Sequence, residues 1–234
     1  MGEEKVYVLG ATGFIGSTVQ ELLNSSHPTG FMECDCLVNC AGFSKMYEGN
    51  KNPDAMRKVE DDIFDCIYFI KPKRIIHVST VYIDVYPKVI YTQIKKEQEE
   101  RLASSCENTT ILRLSNVIGP NMIKGVIFDI LHNRPLFVSF ASVYNFISVE
   151  EVAKLVSHLI INPIKGIINV GSSESISIAR AAKILKKNPL YGIKEDKIKI
   201  DTSKLQSFYK VKTSQEYIEE FMVNYKGVDC ESTV

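Results

Sequence analysis

The sequence predicts an α/β protein in which strands alternate with helices around a parallel, doubly wound sheet. Three observations carry that prediction. A short apolar run, Lys5-Val6-Tyr7-Val8-Leu9, ends on a glycine-rich turn ahead of an amphipathic stretch. Further apolar runs follow at spacings that leave room for one helix between each pair. Polar residues stand at the carboxyl ends of those runs, where open α/β sheets bind their ligands.

The first run is rich in β-branched residues and ends on Gly10, so it reads as a buried strand feeding a turn. The helix after it spans about Gly13 to Asn24, with Phe14, Ile15, Val19, Leu22 and Leu23 on its inner face, and Ser25-Ser26-His27-Pro28-Thr29-Gly30 stops it. Cys36-Leu37-Val38-Asn39-Cys40 is a second strand, closed by Ala41-Gly42. Asn52-Pro53-Asp54 opens a long helix that runs to about Ile70, before Lys71-Pro72. Arg74-Ile75-Ile76-His77-Val78 is a third strand and delivers Ser79 and Thr80 to its end. A helix from Tyr91 to about Ser104 and a strand at Thr110-Ile111-Leu112-Arg113-Leu114 follow. Beyond Ser115-Asn116-Val117-Ile118-Gly119-Pro120 the elements shorten. Helices are expected at Ile123 to Asn133, from a capping box at Ser148-Val149-Glu150-Glu151 to Ile161, at Ser177 to Lys186, and after Thr213-Ser214-Gln215-Glu216. Ile167-Ile168-Asn169-Val170 is strand-like.

The chain has 234 residues, enough for one large domain or a domain with a small lobe. The boundary expected is a core over residues 1–120, truncated after its first helix, then a lobe interleaved with remaining core elements over 121–234. Net charge is balanced at +0, which gives no electrostatic reason to expect nucleic acid or an acidic membrane as partner. No apolar run is long enough to cross a bilayer, and no basic-then-apolar start marks a signal peptide. A cytoplasmic protein is expected. Cys34, Cys36 and Cys40 cluster, but mostly along a strand with no His nearby, so small buried thiols are expected rather than a metal site. His77 lies inside a strand and reads as a packed core residue; His27, His132 and His158 have no evident partners.

Two constellations point to chemistry. Gly10, Gly13 and Gly16 stand where a strand must turn, approach a phosphate and pack against the next helix, whose N-terminus would hold the anion. Tyr91 and Lys95 lie four residues apart on one helix, so an ammonium can sit beneath a phenol. A nearby cation lowers a phenol from about 10 toward neutrality and makes it a usable acid/base. A surface helix with a snorkelling lysine is the bland alternative. Asn39-Cys40-Ala41-Gly42, Ser79-Thr80 and Ser115-Asn116 all fall at strand ends and converge on one crevice, although each singly reads as a turn residue bonding its own backbone.

With these pieces in order, the chain resembles the extended short-chain dehydrogenase/reductases, the NAD(P)-dependent sugar-nucleotide epimerase/dehydratase family, with a shortened N-terminal half. The matching segments are Gly10-Ala11-Thr12-Gly13-Phe14-Ile15-Gly16, Asn39-Cys40-Ala41-Gly42, His77-Val78-Ser79-Thr80, Tyr91 with Lys95, Arg113 to Pro120, and Asn145-Phe146-Ile147-Ser148-Val149-Glu150-Glu151-Val152-Ala153. Asp201-Thr202-Ser203-Lys204-Leu205 resembles the family's closing segment. The resemblance implies a Rossmann-like doubly wound sheet with a small C-terminal substrate lobe. It implies NAD or NADP held by Gly10, Thr12, Gly13, Phe14, Ile15, Gly16, Asn39, Ala41, Gly42, Ser79, Tyr91 and Lys95. Tyr91 is then the acid/base, Lys95 lowers its pKa and holds the nicotinamide ribose, and Thr80 bonds the reacting oxygen. Ser79 sits beside the nicotinamide, and Asn116 meets a nucleotide-sugar. A homodimer through the helices at about 54–70 and 91–104 is also implied.

Two departures qualify this. The acidic residue that holds an adenosine ribose is expected about 20 residues beyond the glycine loop, at the end of a second strand, and only Phe31-Met32-Glu33 stands there. Two strands with their helix are missing from one side of the sheet. Linking the first helix directly to the Cys36 strand then gives a left-handed crossover unless the helix changes face or Phe31-Met32 forms a stub. The adenosine pocket is expected to be truncated and open. In addition, the segment from Thr80 to Tyr91 is short and carries Val81-Tyr82 where the dehydratases carry Asp-Glu, which argues against 4,6-dehydration; the epimerase-reductases' Cys and His pair has no counterpart.

The expected activity is hydride and proton transfer on a nucleotide-sugar, as an epimerase or ketoreductase. The rival is a noncatalytic scaffold or ligand-binding descendant of the fold. A reductase of non-nucleotide ketones or lactones would use the same residues.

Overall fold

The structure is a computed structural model and describes residues 4–24 and 34–225. In chain order, β1 (Val6–Leu9) leads to α1 (Phe14–Leu23), and β2 (Cys36–Asn39) to a short α2 (Met46–Lys51) and a long α3 (Pro53–Ile70). Asn52 caps α3 by accepting from Ala55 N at 3.2 Å, and Pro53 at the first helical position donates nothing that would be left unpaired. Then come β3 (Arg74–Thr80), a four-residue α4 (Tyr82–Val85), α5 (Ile90–Ser105) and β4 (Thr109–Leu114). Short pieces follow: β5 (Asn116–Ile118), α6 (Val126–Leu131), β6 (Val143–Tyr144) and β7 (Phe146–Ser148). The chain continues through α7 (Val149–Ile161), β8 (Gly166–Val170), β9 (Ile176–Ser177), α8 (Ile178–Ile184), α9 (Ser203–Gln206) and α10 (Ser214–Asn224).

Two compact units share these elements. The first holds the described residues of Met1–Ser115, Val149–Gly171 and Ile200–Lys210. Its sheet is parallel throughout, in the order β1-β2-β3-β4-β8. Leu37, Val38, Ile76 and Leu112 are fully buried in its central strands, as expected where helices cover both faces; each such side chain contributes about 1.5–3 kcal/mol. Burial also pushes the Cys34 and Cys36 thiols up, to about 11 and about 12, which keeps them neutral. Ile75 packs with Ile67 of α3 and Leu102 of α5. Arg74, its neighbour on the opposite face of the strand, donates to the carbonyls of Leu159 and Ile160 at the end of α7. So α3 and α5 cover one face, and α7 covers the other together with α1, which packs on it.

Among the described residues β1 is an edge strand, so the sheet lacks the strands that a doubly wound fold carries beyond it. The steps β1→β2 and β2→β3 run the same way across the sheet, yet α1 and α3 lie on opposite faces. As far as the described residues trace them, these crossovers have opposite hands, although about 98% of such units are right-handed. The first helix has therefore not changed face; Phe31-Met32, the other expected remedy, lies outside the described residues, as does Glu33.

The second unit holds the described residues of Asn116–Ser148, Ser172–Lys199 and Val211–Val234. It pairs β5 with β7 in parallel and β6 with β9 antiparallel. Asn145, 2 % exposed, exchanges bonds with Ser172 through both ends of its amide. Thr213 and Glu216 form the capping box that opens α10. Among the described residues no helix is long and apolar enough to cross a membrane.

Candidate active site

The site is assembled at the carboxyl ends of β1, β2 and β3. Gly10 turns the chain out of β1 with φ +82°, and a Cβ there would stand 2.5 Å from the Ala41 nitrogen. The exits of β1 and β2 thus meet backbone to backbone, which only glycine permits. Gly16, on the first turn of α1, presses on the same turn: a Cβ would lie 2.1 Å from the Gly10 oxygen. Gly13 donates to that oxygen at 3.0 Å and occupies the N-cap of α1 without any side-chain cap. Thr12 and Gly13 are exposed, while Phe14 and Ile15 are half-buried behind them. The opening N–H groups of α1 are therefore presented with no side-chain acceptor, an arrangement that takes an anion such as a pyrophosphate.

Asn39 is fully buried at the end of β2. Its Oδ1 accepts from Ala41 N at 3.0 Å, which fixes the amide so that Nδ2 donates to His77 Nδ1 at 2.9 Å. The side chain is spent on the turn and on the neighbouring strand, so any contact of Asn39 with a cofactor falls to its backbone. His77 then carries its proton on Nε2, which has no partner among the described residues. Burial, and secondarily the charge of Lys95, push His77 down to about 3.

Tyr91 and Lys95 do share a face of α5, and both are buried, at 5 % exposure each. The Tyr91 ring packs with Met56, Ile94 and Phe43. Its N–H donates to Asn50 Oδ1 at 2.9 Å, and its hydroxyl donates to the Phe43 carbonyl at 3.2 Å. Lys95 Nζ forms a buried ion pair with Glu60 Oε1 of α3, and Glu60 Oε1 also accepts from Phe43 N at 2.9 Å. A Cβ on Gly42 would stand 2.7 Å from Lys95 Nζ, so the β2 exit lies directly against the ammonium.

Here the sequence-based expectation needs correcting. Lys95 was expected to lower the Tyr91 phenol toward neutrality. The phenol is instead pushed above its ordinary value, first by burial and then by the negative charge of Glu60. The physical reason is the ion pair, because a lysine neutralised by an adjacent carboxylate exerts little net field on a third group.

Ser79, expected beside a nicotinamide, donates to Glu99 Oε1 of α5 at 2.5 Å. Glu99 is also held by Arg113 of β4, which reaches on to Asp84 of α4 at 2.7 Å. Thr80 Oγ1 accepts from Tyr82 N at 3.2 Å and so closes the turn into α4. Among the described residues no hydrogen bond joins Thr80 to Tyr91 or Lys95. Asn116 belongs to the second unit, where its Nδ2 donates to the Asn145 carbonyl at 3.2 Å.

Glu60 is the residue that sequence reasoning missed. In Arg57-Lys58-Val59-Glu60-Asp61-Asp62 it reads as one more solvated charge. Its register was the available signal: it falls four residues after Met56 and seven before Ile67, on the stripe that α3 buries. Likewise α5 buries Tyr91, Ile94, Lys95, Gln98, Glu99 and Leu102, a helical face in which most members are polar.

No family model matches this chain, and no curated protein matches it in sequence. Solved structures do match in fold. The dTDP-4-dehydrorhamnose reductase of Bacillus anthracis in complex with NADP has a TM-score of 0.77 at 15% identity, covering 96% of this chain and 99% of that one. The UDP-glucose 4-epimerase of Thermus thermophilus with NAD gives 0.77 at 17% identity, with 95% and 99% covered. The Bordetella bronchiseptica enzyme WbmH with NAD+ gives 0.77 at 17%, with 97% and 99% covered. The chain thus has the fold of NAD(P)-dependent sugar-nucleotide epimerases and reductases.

Proposed function

We propose that the first unit binds NAD or NADP and carries out hydride and proton transfer on a nucleotide-sugar, as an epimerase or ketoreductase. The observation that carries this reading is one convergence. Gly10 touches Ala41, and Gly42 touches Lys95, so the glycine turn, the β2 exit and the Tyr91/Lys95 helix adjoin in sequence. The bare N-terminus of α1 suits the pyrophosphate. When bound, the cofactor would supply a hydride donor or acceptor at its nicotinamide. The chain's own residues supply the rest. Tyr91 moves the proton of the sugar hydroxyl or carbonyl oxygen, Lys95 holds a ribose hydroxyl, and the Thr80 hydroxyl bonds the reacting oxygen. The neighbours support the substrate class: one solved Thermotoga maritima UDP-glucose 4-epimerase carries UDP-glucose.

The test pairs calorimetric titration with NADH and NADPH and a turnover screen of UDP-, GDP- and dTDP-sugars. Tyr91→Phe should keep cofactor binding and lose turnover by several orders of magnitude. Unchanged turnover ends the assignment of Tyr91.

A second reading, a noncatalytic ligand-binding protein, is favoured by one observation. The Tyr91 hydroxyl is already bonded to Phe43, and the Lys95 ammonium to Glu60. Nicotinamide fluorescence separates the two: no change on mixing concentrated protein with NADH favours the noncatalytic protein.

A further inference from the structure

The Glu60 carboxylate is 2 % exposed, and it joins Lys95, on the Tyr91 face of α5, to Phe43, whose carbonyl holds the Tyr91 phenol. One oxygen holds the Lys95 ammonium and the Phe43 N–H, while the Phe43 carbonyl receives the phenol's proton. Its second oxygen, Oε2, has no partner among the described residues. A buried carboxylate left half-satisfied is costly.

We propose that Glu60 is a positioning residue that neutralises the Lys95 ammonium on the Tyr91 face of α5, and so leaves the site suited to give a proton to a carbonyl oxygen rather than to take one from an alcohol. This rests on the functional reading above and gives it a direction, ketone reduction. In that step hydride leaves the reduced nicotinamide with its electron pair for the carbonyl carbon. The carbonyl π bond breaks, the Tyr91 O–H proton moves to the resulting oxyanion, and the phenolate is reprotonated from solvent. Burial raises the phenol first, Glu60 second, and Tyr82 of α4 adds to the rise after them; Lys95 carries the opposite charge and is paired with Glu60. His77 of β3 is uncharged, Asp84 of α4 is committed to Arg113, and Glu48 and Lys51 of α2 are exposed. The raised phenol agrees with this geometry.

Protein labelled with 13Cζ-tyrosine tests it, with the Tyr91 resonance assigned from Tyr91→Phe and followed from pH 7 to 11. The wild-type signal should stay flat. In Glu60→Gln the amide can still accept from Phe43, but the Lys95 charge is uncompensated; the Tyr91 signal should then titrate within the window, a fall of about two units or more. Lys95→Met should keep it flat. A flat signal in Glu60→Gln, with the variant folded, overturns the proposal. Reductive kcat/KM should lose its alkaline limb at lower pH in Glu60→Gln than in wild type. A Glu60→Gln signal that titrates in a protein that binds no NADH removes the functional reading while leaving the Glu60–Tyr91 linkage standing, so the two failures are distinguishable.

Discussion

Asn39 and His77 are register partners on adjacent strands, and their side chains meet at 2.9 Å in the interior. The contact works only with a neutral imidazole, since Nδ1 must accept. His77 is held down to about 3 by burial and by Lys95, whereas an unfolded His titrates near 6.5. Between those values the unfolded state binds a proton that the folded state does not, so stability falls as pH falls. The slope is about 1.4 kcal/mol per pH unit. Below pH 6.5, urea midpoints of the wild type should therefore drop faster than those of His77→Gln, which keeps a polar partner for Asn39 but cannot titrate. Parallel curves from pH 7 to 4 would refute this.

The three glycines of the first turn should separate stability from ligand binding. Gly10→Ala and Gly16→Ala drive a methyl into backbone at 2.5 and 2.1 Å, a contact no rotamer relieves; each should cost more than about 2 kcal/mol. Gly13→Ala meets only the Gly10 oxygen at 3.3 Å, with φ an ordinary −80°. It should lower stability by a few tenths of a kcal/mol while weakening NADH binding by about tenfold or more, because the methyl occupies the approach to the α1 amides. Equal NADH affinity in Gly13→Ala and wild type would remove the pyrophosphate from this turn.

How far the sequence could be read follows from how each signal is encoded. The runs at Cys36 and Arg74 announce strands because both of their faces are buried, with Gly42 soon after the first and Pro72 just before the second. The start of α3 is written in Asn52-Pro53, a cap followed by a residue suited to the first turn. By contrast β5, β6, β7 and β9 have two or three residues each, too few for any period to show. α2 and α4, at six and four residues, are likewise under two helical turns and carry no readable stripe. In the site, residue types and spacing placed Tyr91 and Lys95 on one face. Spacing within one helix could not reveal that Glu60, on another helix, would neutralise the ammonium. Nor could it show that Ser79 would turn toward Glu99, since that partner follows it by twenty positions.

The Glu99–Arg113 pair predicts a second contrast. Both side chains are under 10 % exposed, and Arg113 gives Glu99 several bonds, so Arg113→Met leaves a buried carboxylate without its cation. Such a loss costs about 3–5 kcal/mol. Arg57→Met removes the partner of Glu97, in a pair where both side chains are about half exposed, and should cost no more than about 1 kcal/mol. Urea unfolding of the two variants at neutral pH checks the difference, and 1 M salt should narrow the second effect but not the first. Equal losses would mean that the Arg113 cluster is more hydrated than its burial indicates.

Tyr91 itself gives the last prediction. Its phenol is held above the ordinary value by burial and by Glu60, while an unfolded tyrosine titrates near 10. The folded protein thus retains a proton that the unfolded chain loses, and this contribution is whole below pH 10 and declines as pH rises toward the folded value. The slope approaches about 1.4 kcal/mol per pH unit. Tyr91→Phe removes that dependence, but it also removes the bond to the Phe43 carbonyl, worth about 0.5–1.5 kcal/mol. At pH 8 the variant should therefore be the less stable protein, and the gap should close as pH climbs past 10, with the two curves crossing within about one further unit. The remaining tyrosines form a background common to both proteins and drop out of the comparison. A constant gap from pH 8 to 11 would mean that the phenol ionises as easily inside the protein as outside it, and that neither burial nor Glu60 holds its proton.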